Sequence, residues 1–133
     1  MQTILVIDDE ANMRHMLTAL LGKSGYAVTT AADGSEGLRL AGEHRFDFIL
    51  CDLKMPVMDG LAFLAGMRAA DLGGTVIMMS AYGTVDQAIE TVQQGAYDYI
   101  SKPFKLDEIL LVLRKAEERE RLRDENRQLR SRL

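Results

Sequence analysis

Short apolar runs alternate with longer amphipathic segments along the 133-residue chain. The apolar runs predict β-strands at about residues 3–8, 27–31, 47–52, 75–80 and 97–100. The amphipathic segments predict helices at about residues 11–23, 35–44, 61–70, 85–94 and from 105 onward. Because five strands alternate with five helices, the pattern predicts an α/β domain built on a parallel sheet.

Two of the apolar runs also predict which strands are central. Residues 4–7 and 76–79 are apolar at every position, as expected for strands that helices cover on both faces. Turn signals separate the elements, at Gly25, Asp33-Gly34, Asp59-Gly60, Gly73-Gly74, Gly83 and Gly95. No repeat or low-complexity linker interrupts this alternation, which favours a single domain.

The last predicted helix is longer than the domain needs. Its first part can pack on the sheet through Ile109, Val112, Leu113 and Ala116. Farther along, spacings of four, three and four predict a coiled-coil seam formed by Leu122, Asn126, Leu129 and Leu133. The sequence therefore predicts a domain at residues 1–118, followed by a coiled-coil helix at residues 119–133.

This seam predicts a parallel homodimer. Asn126 and Leu133 occupy a positions, Leu122 and Leu129 occupy d positions, and a buried Asn at a favours two strands in register. In the same register Glu118 lies opposite Arg123 of the partner, and Glu125 lies opposite Arg130. The alternative is a solvated tail, because the repeat covers barely two heptads, Arg119 interrupts the a positions and so short a coil is marginal alone.

Composition excludes several classes of protein. The net charge of −4 divides into −7 over residues 1–113 and +3 over residues 114–133. An acidic body argues against nucleic-acid binding by that part, and the interleaved charges of the tail are typical of a solvated helix face.

No apolar run is long enough to span a membrane, and no basic region precedes the first strand, so we expect a cytoplasmic protein. Cys51 is the only cysteine, and its position in a predicted buried strand favours inert packing.

Carboxylates follow two of the predicted strands. Asp8 and Asp9 end the first apolar run, and Asp52 ends the third. Ligands of parallel sheets bind at the carboxyl ends of the strands. At about 5 Å and an effective dielectric constant near 20, each like-charged pair costs roughly 3 kcal/mol, so the three acids predict a cation site. Lys102, after the fifth strand, is placed to bring a fixed positive charge to the same edge.

These groups suit phosphate chemistry at a magnesium site. A carboxylate can attack phosphorus and form an acyl phosphate, and Mg²⁺ prefers oxygen ligands. We expect Asp9 and Asp52 to bind the ion directly, Asp8 to bind it through water, and a backbone carbonyl near Lys54 to complete the set. The Lys102 ammonium and a hydroxyl at Ser80 can contact phosphate oxygens.

Each of these residues also has a plainer interpretation. Asp8 or Asp9 alone is a good N-cap for the helix that starts near Ala11. Ser80 can cap a turn, and Lys102 can be an exposed surface lysine. Asp59 is more typical of a turn or cap residue than of a ligand. Two histidines are interpreted as ordinary surface or boundary residues of helices, His15 and His44.

Four segments together resemble the receiver domains of two-component response regulators through about residue 118. They are Ile4-Leu5-Val6-Ile7-Asp8-Asp9-Glu10, Cys51-Asp52-Leu53-Lys54-Met55-Pro56-Val57-Met58-Asp59-Gly60, Met79-Ser80-Ala81 and Ser101-Lys102-Pro103-Phe104. The resemblance implies a flavodoxin-like (βα)5 sandwich with strand order 2-1-3-4-5. It also implies that Asp52 accepts a phosphoryl group from a sensor histidine kinase, with Asp8, Asp9 and Asp52 around Mg²⁺. Ser80 is then the switch hydroxyl, Tyr99 the switch aromatic and Lys102 the lysine of the site.

The segment from Ala81 to Ile100 and the charged helix after it look most like activators of the nitrogen-regulation type. Those proteins continue into an ATPase domain that works on sigma-54 RNA polymerase and then into a helix-turn-helix domain. This chain contains no glycine-rich phosphate loop, so contacts with DNA and polymerase would need domains that it lacks. Our hypothesis is that it is the regulatory part of such an activator.

Two other functions are considered. A stand-alone receiver that binds a partner protein shares the site but does not need the coil. An aspartate-based phosphatase or phosphotransferase often has a second acid two residues after the nucleophile, where this chain has Lys54, and a cap insertion is also missing. We therefore expect no enzyme beyond slow loss of its own phosphate. Phosphorylation is expected to reshape the face of helix 85–94, strand 97–100 and the last helix, and so dimer packing.

Overall fold

The computed structural model describes residues 1–81 and 84–132, and five strands alternate with five helices within them. The strands are β1 (Thr3–Ile7), β2 (Ala27–Ala31), β3 (Phe48–Asp52), β4 (Thr75–Ser80) and β5 (Asp98–Ser101). The helices are α1 (Ala11–Lys23), α2 (Gly34–Glu43), α3 (Gly60–Ala69), α4 (Val85–Gln93) and α5 (Leu106–Arg132). Every predicted element is confirmed, and no predicted bound moves by more than one residue. Turn residue Gly83 and segment residue Tyr82 lie outside the described residues.

All four strand pairs are parallel, and the sheet has the order β2-β1-β3-β4-β5. Strands β3 and β4 are buried along their whole length, and residues 4–7 of β1 are fully buried. The predicted fold class, a flavodoxin-like arrangement with a long C-terminal helix, is therefore confirmed. The central position of β1 and β4 follows from their unbroken apolar sequence, because only strands covered on both faces bury every side chain.

The chain divides into two compact units, Met1–Pro103 and Phe104–Leu133. The first contains the sheet and α1–α4. One hydrophobic cluster in this unit contains Phe63, Met67 and Met78, which are all buried. Side-chain caps start three of the helices. The side chains of Asp33, Asp59 and Thr84 each accept a hydrogen bond from a backbone N–H three residues later. The interpretation of Asp59 as a cap residue is thus confirmed.

Helix α1 starts differently from α2, α3 and α4. Its N-cap is Glu10, whose side chain makes no cap hydrogen bond. The alternative that Asp8 or Asp9 is the N-cap is therefore wrong, because the chain needs one more residue to turn from the sheet edge into the helix. Of the two histidines, His15 is exposed on α1, and His44 is the exposed C-cap residue just after α2.

The second unit is α5, a continuous helix of 27 residues. Its buried side chains are Ile109, Leu113 and Ala116. The predicted seam residues Leu122 and Leu129 are 52% and 60% exposed, Asn126 is exposed, and Leu133 lies outside the described residues. The predicted boundary between residues 118 and 119 falls inside this helix. No helix within the described ranges combines the length and the apolar content that a membrane span requires.

Ion pairs along α5 use the charges assigned to the coil. Arg121 pairs with Glu118 and, at 3.3 Å, with Glu125 of the same helix. These side chains are more than half exposed, so the pairs contribute little to stability. Such weak pairs can be exchanged for contacts with a second chain at little cost.

Candidate functional site

Four of the predicted site residues lie at the carboxyl edge of the sheet. Asp8 follows β1, Asp52 is the last residue of β3, and Ser80 is the last residue of β4. Lys102 follows β5, and its backbone N–H donates to the Ser80 carbonyl at 2.8 Å. Since all five strands are parallel, their ends bring together groups that are up to 94 residues apart in sequence.

Hydrogen bonds hold both the backbone and the side chain of Asp8. Its backbone N–H donates to the Ala31 carbonyl at 3.1 Å, which extends the pairing of β1 with β2. Its Oδ1 accepts a hydrogen bond from the Glu10 N–H at 2.9 Å, and its Oδ2 accepts one from Lys102 at 2.9 Å. The side chain is fully buried. Both carboxylate oxygens are therefore already engaged, which suits an acid that acts on a cation through water.

Lys102 bridges two acids. Its Nζ lies 2.9 Å from Asp8 Oδ2 and 3.3 Å from Asp52 Oδ2, and its side chain is only 10% exposed. The alternative of an exposed surface lysine is thus wrong. Burial alone would lower the pKa of Lys102, but the hydrogen bond to Asp8 and the charge of Asp52 outweigh it, so the pKa lies above its usual value. The ammonium is therefore a permanent positive charge at this edge.

The surroundings of Asp52 disfavour the ionised form of its carboxyl group. Its pKa is raised, mainly by burial and then by the negative charge of Asp8, while Lys102 acts in the opposite direction. The positive charge of Lys102 thus does not fully offset the cost of burying the Asp52 carboxylate. A further cation at this edge would favour the charged form of Asp52, which is the form that can attack phosphorus.

Three acids are arranged to receive that cation. One carboxylate oxygen each from Asp8, Asp9 and Asp52 lies within 4.8 Å of the others. Asp9 is exposed, so the group opens to solvent on one side. Carboxylate oxygens this close together can share a divalent cation. The all-oxygen donor set matches what Mg²⁺ prefers.

The loop after Asp52 approaches the strand closely. The Gly60 N–H donates to the Leu53 carbonyl at 2.8 Å, and a Cβ at Gly60 would lie 2.9 Å from the Asp52 carbonyl oxygen. Val57 has φ of 69°, and the residues on either side of it form a tight turn in which Met58 N–H donates to the Pro56 carbonyl. A β-branched residue is strained in this conformation. The predicted carbonyl ligand, Lys54, is an exposed residue of this loop.

The two predicted switch residues lie on neighbouring strands. Ser80 is almost fully buried. Tyr99 pairs with Met78 in the sheet, packs against the hydrophobic cluster and is half-buried. Its hydroxyl is buried, with no hydrogen-bond partner among the residues described. Leaving such a hydroxyl unsatisfied costs about 1–3 kcal/mol, so this position of the ring is not strongly favoured over others.

Sequence reasoning missed one cation at this edge. Arg14 Nη1 donates to the Asp8 carbonyl oxygen at 2.7 Å. The available signal was a basic residue in the first turns of α1, where the helix dipole favours acids. Cys51 behaves as predicted, because burial, followed by the charges of Asp52 and Asp8, raises the pKa of its thiol well above the usual value.

Comparison with known proteins gives a consistent result. The family model of the response regulator receiver domain matches residues 4–114. The regulatory protein AtoC of Escherichia coli K12 is 38% identical over 95% of this chain, which covers 27% of AtoC. Sporulation initiation phosphotransferase F of Bacillus subtilis is 37% identical over 86% of this chain, which covers 92% of that protein.

A solved structure supports the same assignment. The crystal structure of NtrX from Brucella abortus superposes with a TM-score of 0.86 at 32% identity, over 98% of this chain and 29% of NtrX. The chain thus spans about a quarter of the length of relatives such as AtoC and NtrX. The match of the family model, the strand order and the acidic edge agree, and the chain belongs to the family of response regulator receiver domains.

Proposed function

We propose that this domain accepts a phosphoryl group on Asp52 from a phosphohistidine of a sensor histidine kinase. The observation that carries the proposal is the group of oxygens from Asp8, Asp9 and Asp52, with Lys102 bound between two of the acids. An acid that is buried beside a fixed ammonium and open to solvent on one side is placed for attack on an incoming phosphoryl group.

In the transfer, a carboxylate oxygen of Asp52 attacks phosphorus and forms a P–O bond. The P–N bond of the phosphohistidine breaks, and its electron pair stays on the imidazole nitrogen. The released imidazole exchanges protons with water. The product is an acyl phosphate. Lys102 stays within reach of the new phosphoryl oxygens, because its ammonium already lies 3.3 Å from Asp52 Oδ2.

Asp9, Asp52 and the backbone carbonyl of Lys54 would hold Mg²⁺ directly, and Asp8 would hold it through water. The bound ion supplies positive charge to the phosphoryl oxygens as they approach the acids. The residues around it fix the ligand positions: Glu10 and Lys102 orient the Asp8 carboxylate, and Gly60 lets the following loop lie against the Asp52 carbonyl.

Labelling by a small phosphodonor tests this proposal. Incubation with acetyl phosphate and MgCl2 is expected to add one phosphoryl group, detected by intact-protein mass spectrometry and lost on treatment with hydroxylamine. Chelation by EDTA is expected to reduce the labelling rate at least about tenfold, since the acids then repel the incoming anion. Equal rates with and without the metal would contradict the proposed site.

The proposed switch couples this charge to Ser80 and Tyr99. A phosphoryl group adds nearly two negative charges and strong acceptor oxygens. Attraction of the Ser80 hydroxyl toward these oxygens empties space beneath the end of β4, and the Tyr99 ring rotates inward to fill it. The buried Tyr99 hydroxyl has no hydrogen-bond partner among the described residues, so the rotation breaks no hydrogen bond of this hydroxyl.

The switch is proposed to act on how two chains pack. Helix α4 has exposed apolar side chains at Val85, Ile89 and Val92, which are spaced to share one helix face. On α5, Leu122 and Leu129 are likewise exposed. We infer a homodimer through the coil and through this face of α4. In a longer protein of the nitrogen-regulation type, the dimer would control an ATPase domain that acts on sigma-54 RNA polymerase and, through it, transcription.

The coil is tested by truncating its seam. The double variant Leu122→Ala and Leu129→Ala is expected to weaken dimerisation at least about tenfold, because each leucine lost from a packed seam costs about 2 kcal/mol or more per chain. Alanine keeps the helix propensity high, so α5 itself should persist. Sedimentation equilibrium over a concentration series measures the dissociation constant.

The matched control is the double variant Gln128→Ala and Ser131→Ala, which changes residues outside the predicted seam. It should dimerise like the unaltered chain. If the unaltered chain sediments as a monomer, or if both double variants dimerise equally well, α5 is a solvated tail and the coil is excluded.

The second candidate function is a stand-alone receiver that works by binding a partner protein. It is favoured by the match to sporulation initiation phosphotransferase F, of which this chain covers 92%. In that case removal of residues 119–133 should leave both the oligomeric state and the phosphorylation unchanged. A dimer that dissociates on this removal favours the first candidate.

A further inference from the structure

Arg14 makes one contact that the proposed chemistry does not use. Its side chain turns back from α1 across six residues, and Nη1 donates to the Asp8 carbonyl oxygen at 2.7 Å. The same residue begins the hydrogen bonding of α1, since its backbone N–H donates to the Glu10 carbonyl at 3.1 Å. Arg14 therefore joins the end of β1 to the start of α1, across the turn that carries Asp8 and Asp9.

The position of this arginine is unfavourable for the helix alone. The first turn of α1 contains no acidic residue, and its N-cap makes no side-chain hydrogen bond. A cation near a helix N-terminus interacts unfavourably with the helix dipole. Sequences break a local rule of this kind mainly at functional sites. The cost is offset here by the charge-assisted hydrogen bond to the Asp8 carbonyl.

The contact fixes the peptide group between the two acids. Asp8 is already held through its backbone N–H and both carboxylate oxygens, and Arg14 holds its carbonyl as well. Asp9, in contrast, is exposed. The orientation of the Asp8–Asp9 peptide group decides where the Asp9 side chain leaves the backbone. We propose that Arg14 is a positioning residue that sets Asp9 for Mg²⁺ through the Asp8 carbonyl; this inference rests on the proposed function.

Magnesium affinity tests this role, because charge and positioning predict opposite results. Removing a positive charge near a cation site should tighten Mg²⁺ binding if charge alone matters. If Arg14 positions Asp9, Arg14→Met and Arg14→Gln should instead weaken Mg²⁺ binding about tenfold, the loss usual for groups that orient metal ligands. Titration of the ¹⁵N-labelled protein with MgCl2, followed by NMR, measures the dissociation constant and reports whether each variant is folded.

Two further variants sharpen the comparison. Arg14→Lys keeps the charge and one donor and is expected to recover part of the lost affinity. Arg39→Met removes the same charge from an exposed pair on α2 and should bind Mg²⁺ like the unaltered protein. Stability is recorded in parallel, since a purely structural role lowers the melting temperature without changing the affinity of the folded protein.

The outcomes separate the inference from the proposed function. If the unaltered protein fails to bind Mg²⁺, the proposed function fails. If the unaltered protein binds Mg²⁺ and the folded Arg14→Met and Arg14→Gln variants bind it equally well or more tightly, the positioning role is overturned. Absence of any recovery in Arg14→Lys also overturns it, because the loss then comes from packing.

Discussion

Phosphoryl labelling by acetyl phosphate is expected to fall at least about 100-fold in the Asp52→Asn variant, because an uncharged amide cannot serve as the nucleophile. Asparagine has nearly the same shape, so the hydrogen-bonded edge of the sheet should persist. The measurement is the rate of mass increase in the presence of MgCl2. If the variant is labelled at the rate of the unaltered protein, Asp52 is not the phosphoacceptor.

The same substitution lowers the labelling rate but should raise the stability of the metal-free protein at neutral pH. Folding raises the pKa of Asp52, so the stability that its protonated form contributes is lost as the pH rises through the folded pKa. The free energy of unfolding of the metal-free protein should therefore fall as the pH rises above the ordinary pKa of an aspartate. In Asp52→Asn this fall should be smaller. Urea unfolding at several pH values in EDTA measures the difference.

Asp71→Asn is the matched control for both measurements. Asp71 is exposed and has φ of 53°, a conformation that asparagine also tolerates well. The charge change is identical, but Asp71 belongs to a surface turn. Labelling should be unchanged, and the pH dependence of stability should follow that of the unaltered protein.

The acidic edge was predictable because two independent patterns coincide there. The apolar runs of β1 and β3 end at Asp8 and Asp52, and the ends of parallel strands lie at one edge. Sequence therefore predicted that Asp8, Asp9 and Asp52 would lie together. The order of the five strands does not follow from the pattern and came from the family resemblance.

Contacts that involve the backbone were not predictable. The Asp8 carbonyl that Arg14 contacts exists in every residue, so no side-chain pattern marks it as the acceptor. The tight turn at Val57 runs against the preference of β-branched residues, and local propensity therefore argues against it. The unsatisfied hydroxyl of Tyr99 depends on how a half-buried ring packs, which is set by tertiary contacts alone.

The largest expected loss of stability comes from Lys102→Met. In EDTA at neutral pH, the free energy of unfolding is expected to fall by roughly 2–4 kcal/mol, slightly less than for a fully buried pair because the site is partly open. The substitution leaves two buried carboxylates close together without their ammonium. Urea unfolding measures the loss, and Lys105→Met, at an exposed lysine nearby in sequence, is the control.

The pH dependence and the effect of metal identify the cause of this loss. Without the ammonium, the pKa of the Asp52 carboxyl rises further, so the deficit should shrink on acidification as Asp52 becomes protonated. The raised pKa of Lys102 means that its own contribution in the unaltered protein is present below the ordinary lysine pKa and is lost as the pH rises through the folded value. Added MgCl2 should restore part of the stability and bind more tightly than in the unaltered protein, since it replaces the missing positive charge. A deficit that neither acid nor Mg²⁺ reduces would mean that Lys102 acts through packing of its aliphatic stem rather than through its charge.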